Sequence, residues 1–455
     1  MKRIFIISGR YILENPYREL QLKSHFEALG FEVIFGMPGR KLNANGYTEE
    51  AKEDRVYWDA GAVWLETEQD YRRWLRICDG VLFGSWKSYD QLAEIARSEG
   101  KPVVNCNTTS GLDHWPQNVD YALVKSSFMK RVVLYLQKKL PRYGTLRESH
   151  IVVTGSIIHE HYKGRAIFDP SIRDRTTFCE RYNLDPNRPV VVLFPKGIGS
   201  FHKKTEAWFP DWDNSKREHY NKKMMDKYAS ICNAVKNANC NLIIKMHPSA
   251  YTSYMSRKDD EYAYWSQFLW ARVLIPQHTY ACYLYGDCGL GILTHSALDM
   301  GYFNKPFIYV DSHEIEKPSA PPFHLNHLCA LPPGPSSHWH QTDGAKPVNP
   351  WFPSWLGYYS SVDELPEILN EKIQNPIPEE DRKRFINEFW YKDDGLNSAR
   401  IAEFVANYLK QWGLRRKIYT IAHYGANLAQ KEIVSIPARV EGKVRKGIEK
   451  ILSLR

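Results

Sequence analysis

Short apolar runs and stretches of amphipathic spacing alternate along most of the chain. KRIFIIS (2–8) is followed by a helical pattern from Tyr17 to Leu29 and then by FEVIFG (31–36). ICDGVLFG (77–84), a helical pattern from Tyr89 to Glu99, and KPVVNCN (101–107) come next, then a helical SSFMKRVVLYLQKKL (126–140) and the run HIVVTG (150–155). The runs are rich in β-branched residues and apolar on both faces. Such alternation predicts parallel strands covered by helices on either side. The pattern then begins again. RPVVVLFP (188–195) reads as a buried strand, Tyr220–Ala238 as a helix and NLIIKMHP (241–248) as a strand, with ARVLIPQ (271–277), GDCGLGILTH (286–295) and KPFIYVD (305–311) after them.

Two successive series predict an α/β protein of two Rossmann-like domains facing a cleft. The first spans 1–160 and the second 161–412, with the boundary between about Gly155 and Asn187. Residues 317–357 break the pattern, being dense in Pro, His and Trp without periodicity. A segment of this length inside a compact domain is usually functional, and its aromatic content fits an ordered insertion near the cleft. A last helix, Asn397–Trp412, precedes a tail, 413–455, whose Ile433, Val434, Val440, Val444, Ile448, Ile451 and Leu452 fall at near-helical spacing.

Composition bounds the picture. The chain has 455 residues, 43% hydrophobic and 25% charged, as expected for two or three globular domains. The longest apolar runs are far short of the ~20 residues of a membrane span. The N-terminal run is also too short for a secretory signal, so it reads as the first strand of a cytoplasmic protein. Eight cysteines show no CxxC pair, which predicts reduced, mostly buried thiols rather than zinc or a disulfide framework. The net charge of +9 is concentrated in the tail, where ten basic residues face Glu432, Glu441 and Glu449. A basic amphipathic helix there suits an anionic membrane surface; it equally suits packing on the body of the protein with a solvated basic face.

Candidate chemistry sits where the strand runs end, since ligands of open parallel sheets bind outside the carboxyl ends of the strands. Arg10 follows the first strand, without the GxGxxG of a dinucleotide site. Asp113 and His114, in SGLDHWP after KPVVNCN, are placed to act as a general base. In the second series, Lys196, Gly197, Ser200 and Lys203 occupy a loop whose amides and cations suit a phosphate. His247 closes the next strand, where it can hydrogen-bond a phosphate or a leaving group. Thr294, His295 and Ser296 form a polar turn before a helix starting near Ala297, and Asp299 lies one turn in, placed to receive ribose hydroxyls.

The order of these pieces resembles the nucleotide-binding domain of the GT-B superfamily. Within it, the likeness is to the non-hydrolysing UDP-N-acetylglucosamine 2-epimerases and the CDP-glycerol glycerophosphotransferases, over about residues 150–412. VTGSIIHEHY (153–162) is similar to a hinge segment of those families, and DDGLNSARIAEFV (393–405) to their closing helix, where Arg400 matches an arginine. The resemblance implies that His247, Thr294, Ser296 and Asp299 contact a nucleotide's phosphates and ribose. Two departures stand out: Thr294-His295-Ser296-Ala297 replaces the epimerases' TDSGG turn and paired acids, and SGLDHWP only loosely replaces their HVEAGLR segment. The expectation is therefore a metal-independent, inverting glycosyltransferase without a cofactor, using a nucleotide-sugar donor and a glycan or lipid-linked acceptor in surface-polysaccharide synthesis. It would be cytoplasmic or peripheral on the inner membrane face. The alternatives are a sugar-nucleotide 2-epimerase, a CDP-polyol phosphotransferase, a nucleic-acid-modifying glycosyltransferase and a non-catalytic binding module. The nearly neutral body argues against a nucleic-acid partner, whose binding would be steeply salt-dependent.

Overall fold

The computed structural model describes residues 1–7, 20–42, 58–84, 90–107, 118–139, 146–157, 160, 172–195, 212–246, 260–274, 279–291, 294, 296–310, 357–375 and 377–413. The Pro/Trp-rich insertion, except Gly357, and the tail beyond Gly413 lie outside them.

Two parallel sheets organise the chain. The first holds β1 (Lys2–Ile7), β2 (Phe31–Pro38), β3 (Ala62–Leu65), β4 (Gly80–Phe83), β5 (Val103–Asn107), β6 (Tyr121–Val124) and β7 (Ile151–Val153), in the order β3-β2-β1-β4-β5-β6-β7. The second holds β8 (Val190–Leu193), β9 (Asn241–Lys245), β10 (Arg272–Leu274), β11 (Cys288–Gly291), β12 (Phe307–Val310) and β13 (Gly357–Ser360), in the order β10-β9-β8-β11-β12-β13. Both wind outward from their first strand and then return to its other side, the doubly wound topology whose strand order switches beside β1 and β8. Ten strands coincide with the apolar runs in the sequence. The other three, β3, β6 and β13, lie outside those runs.

Period-two alternation sends each strand's residues to opposite faces. Ile4 and Ile6 of β1 join one core with Leu22, Phe26 and Leu82, while Phe5 and Ile7 join another with Tyr71, Leu75 and Leu92. The first of these cores is closed by the last helix, 397–413, whose Ile401, Ala402, Val405, Ala406 and Leu409 are buried in it. The chain thus returns to the first sheet after completing the second. The sequence pattern had grouped 397–412 with the second series, because periodicity marks a buried face without naming what covers it. Gly80 makes the close approach possible: a Cβ there would stand 2.4 Å from Leu409 Cδ2.

A further core spans both sheets. Ala122 and Val124 of β6, Ile151 of β7, and Phe128, Met129 and Val133 of the helix Ser127–Lys139 pack with Val190 and Val192 of β8 and with Phe385, Phe389 and Trp390. Phe128 and Phe389 lie 4.8 Å apart at their ring centroids, and Arg131 pairs with Glu388 at 2.6 Å. The two units are therefore joined through shared apolar packing as well as through the chain.

The chain crosses itself at this joint. Gly155, just past β7, has φ +87°, a left-handed conformation that glycine adopts without steric cost. A Cβ on it would lie 2.1 Å from Asn397 Oδ1. Gly155→Ala therefore combines an unfavourable backbone conformation with a collision, and should cost about 2–4 kcal/mol. Adding Asn397→Ala should recover part of that loss by removing the collision alone. Chemical denaturation of the four proteins checks this; an unperturbed Gly155→Ala protein would contradict the crossing.

Candidate functional site

All strand pairs in both sheets are parallel, so every strand leaves its sheet by its carboxyl end on the same edge. In the second sheet β9, β8 and β11 are consecutive neighbours. Lys196 lies three residues beyond the end of β8, His247 two beyond β9 and Thr294 three beyond β11. The carboxyl ends of β9, β8 and β11 therefore lie at adjacent positions on one edge, at the strand-order switch. In the first sheet Arg10 follows β1, and Asp113 with His114 follows β5. Arg10, Asp113, His114, Lys196, Gly197, Ser200, Lys203, His247 and His295 lie outside the described residues.

Thr294, Ser296, Asp299 and Arg400 are described, and all four are half-buried. The Thr294 hydroxyl accepts from the Ser296 amide at 3.2 Å, and the Tyr283 hydroxyl donates to Ser296 Oγ at 3.2 Å. Tyr309 donates to the Thr294 carbonyl at 3.4 Å. The turn is thus fixed from two sides before the helix Ser296–Tyr302, which carries Asp299 in its first turn. Burial pushes the Tyr309 phenol well up, so it remains a donor. Arg400 is engaged within the closing segment itself: it pairs with Asp394, donates to Asn397 Oδ1, and stands 5.4 Å over the Tyr391 ring. Its hydrogen bond to Asp394 holds that carboxyl below the usual range.

The joint between the sheets concentrates buried polar groups. Lys125, Ser126, Thr154, Ser156, Asn397 and Ser398 are all buried. Buried polar side chains need partners, and most of these have them. Asn397 Nδ2 donates to the Ser156 carbonyl at 3.0 Å, and the Ser126 hydroxyl accepts from the Met129 amide at 3.2 Å. Glu160 accepts from the Ser398 amide at 2.6 Å and from its hydroxyl. A carboxylate at the start of the last helix satisfies an otherwise orphaned N–H and faces the positive end of the helix dipole. The two segments likened to family motifs, VTGS and DDGLNSAR, are therefore in contact with each other.

Lys125 is different, and the sequence reading passed over it. It stands one residue beyond β6, is 1% exposed, and among the described residues its Nζ has no hydrogen-bond partner. The ammonium sits 4.6 Å over the Trp390 ring. Burial pulls its pKa down to about 8, against the opposing charge of Asp299. The only sequence signal was a lone lysine in the apolar run YALVKSSF, which predicts a helix-start residue as readily as a buried one.

Among the described residues no group of three or more His, Cys, Asp or Glu side chains is placed to hold a metal, and no helix is long and apolar enough to cross a membrane. Seven cysteines are free and buried; Cys329 lies outside the described residues.

No known family profile and no curated protein sequence matches the chain. Solved structures do. A glycosyltransferase from Rickettsia africae ESF-5 superposes with a TM-score of 0.50 at 12% identity, over 90% of this chain and 98% of that one. The wall teichoic acid polymerase TagF gives a TM-score of 0.50 at 12% identity, over 90% of each chain. A UDP-GlcNAc 2-epimerase from Methanocaldococcus jannaschii gives 0.49 at 10% identity, over 90% of this chain and all of that one. The fold is of the GT-B type. Two doubly wound sheets, a joint between them and a last helix that returns to the first sheet are the features this chain brings to that likeness.

The buried ammonium has a measurable consequence. The folded protein releases the Lys125 proton near pH 8, whereas the unfolded chain holds it to about 10.4. The unfolded state binds more protons over that interval, so this group makes stability rise with pH between about 8 and 10.4. Lys125→Met removes the penalty and should stabilise the protein at pH 7 by at least about 1–3 kcal/mol. That advantage should shrink as pH passes through the interval. Unfolding of both proteins from pH 6 to 10.5 checks this; a variant less stable at pH 7 would contradict it.

Proposed function

We propose that the chain is a GT-B-type transferase moving a sugar or sugar-like group from a nucleoside-diphosphate donor to an acceptor hydroxyl. The observation that carries this reading is the adjacency of β9, β8 and β11, whose carboxyl ends lead into His247, the Lys196–Lys203 loop and the Thr294–Ser296 turn. Three neighbouring strands presenting cations, amides and hydroxyls at a strand-order switch suit a diphosphate. Asp299 follows on the same side, at a position suited to a diol.

In this reading the second sheet's edge holds the donor. Asp113 or His114, beyond β5, takes the proton from the acceptor hydroxyl as its oxygen attacks the transferred carbon. The bond from that carbon to the diphosphate oxygen breaks, and Lys196, Lys203, His247 and the turn offset the charge left on the diphosphate. Direct displacement of this kind inverts the reacting carbon, and the cations would make a metal unnecessary. The basic tail, 413–455, would hold the enzyme at an anionic membrane surface near a glycan or lipid-linked acceptor.

Thermal unfolding with UDP, GDP, CDP, CMP and dTDP, each with and without magnesium, tests the donor site. One nucleotide at about 100 times its dissociation constant should add about 2.7 kcal/mol, without needing the metal. For that nucleotide, His247→Ala and Asp299→Ala should each weaken affinity several-fold with circular dichroism intact. No shift with any nucleotide would overturn the reading. Asp113→Asn or His114→Ala should abolish turnover and spare donor binding; full activity in both would remove SGLDHWP from the chemistry.

A further inference from the structure

The last helix, 397–413, traverses the first sheet from one edge to the other. It starts at the crossing beside Gly155, just past the carboxyl end of β7. It ends against the amino ends of β1 and β4. There Lys2 Nζ donates to the Leu409 carbonyl at 3.4 Å, and Leu409 fills the space that Gly80 leaves open. The chain therefore passes into the basic tail from the amino edge of the first sheet. Arg10, Asp113 and His114 follow strands at the opposite, carboxyl edge. A helix of this length separates the two edges by about 25 Å.

The amino edge carries a surplus of positive charge. Arg76, in the last turn of the helix Glu68–Ile77, and Lys410 are exposed, and Lys2 is half-buried. None of the three forms an ion pair with a described residue. The acids nearby are mostly matched already: Glu32 pairs with Arg3 at 2.6 Å, Glu99 with Arg72 at 2.6 Å and Asp120 with Arg97 at 3.3 Å. Two large apolar side chains are exposed at the same place, Ile77 by 46% and Met1 by 90%. Their segments are tied together by the Asp79 amide, which donates to the Arg3 carbonyl at 2.8 Å. Along the last helix Phe404, Tyr408 and Trp412 recur every four residues, half-buried, and Trp412 brings this row to the edge where the tail begins.

Cations beside exposed apolar tips, with aromatic side chains behind them, suit the boundary between lipid headgroups and acyl chains. The tail adds ten basic residues against three acidic ones at that exit. We propose that the amino edge of the first sheet lies on an anionic lipid surface, with Lys2, Arg76 and Lys410 at the headgroups and Ile77 and Met1 at the apolar boundary. This rests on the membrane reading of the tail and deepens it, because it fixes which face of the folded body meets the lipid. The carboxyl edge of the first sheet then stands about 25 Å from the membrane, and an acceptor anchored there must extend that far.

Vesicles of phosphatidylcholine, alone and mixed with phosphatidylglycerol, test the proposal with the full chain. Hydrogen exchange read by mass spectrometry should show protection of 74–79 and 407–413 on the mixed vesicles only. Neutralising the edge with Lys2→Gln, Arg76→Gln and Lys410→Gln together should weaken binding to the mixed vesicles at least tenfold. Lys223→Gln, Lys227→Gln and Lys383→Gln together remove the same charge from the second unit and should weaken it less than twofold; circular dichroism verifies that both variants fold. Equal losses would reduce the effect to net charge, and no loss in either would leave the tail as the whole contact; each result would overturn the proposal. Protection at 124–127 or 296–300 instead would place the carboxyl edges on the lipid and overturn it too. Failure of the wild type to bind mixed vesicles would overturn the membrane reading of the tail together with this proposal, while the donor-site reading stands or falls on the nucleotides.

Discussion

The connection leaving β7 and the connection entering the last helix pass within contact distance of each other, and Gly155 is the residue that lets them. Its positive φ turns the chain, and its missing side chain leaves the space that the Asn397 amide occupies. From that crossing the amide reaches the Ser156 carbonyl, Glu160 caps the helix at Ser398, and the helix runs back over the first sheet to bury Ile401, Val405 and Leu409. The geometry between the two sheets' carboxyl edges, and hence any site there, depends on this contact.

The joint is also where the structure departs from economical packing. The apolar core shared by Phe128, Phe389 and Trp390 ties the two units together, and an ionised lysine lies against it. A buried charge with incomplete hydrogen bonding is costly, and an apolar residue of the same length would fill the position at less cost. Groups that burial makes expensive are found where ligands or reactions need them. Tyr302 shows a milder version: its hydroxyl donates to Asp393 at 3.1 Å and its pKa is pushed up by burial, fastening the helix that carries Asp299 to the segment that carries Arg400.

Most of the fold was legible in the sequence, because buried parallel strands are continuous apolar runs and their helices keep a 3.6-residue period. β3, β6 and β13 were not: YALV runs directly into the helical pattern that follows it, and GYYS holds no aliphatic residue. The target of the last helix was not legible either: Ile401, Ala402 and Val405 mark a buried face, but only the three-dimensional path shows that the first sheet covers it. The site divides in the same way. Thr294 and Asp299 were singled out as candidates because each follows a strong strand run; His247, singled out because it closes one, lies outside the described residues. Lys125 was invisible because β6, the strand that places it, was itself missed, and because burial of a lysine depends on residues far along the chain, Trp390 among them. Arg400 was recognised as a residue of the closing helix; its attachment to Asp394 and Asn397 required coordinates.

A crystal structure of the protein soaked with UDP and, separately, with CDP tests the account most directly. The account predicts a diphosphate at the shared carboxyl edge of β8, β9 and β11, with the nucleotide's sugar directed toward the joint between the sheets. A nucleotide bound at the opposite edge of the second sheet, or on the first sheet alone, would contradict it.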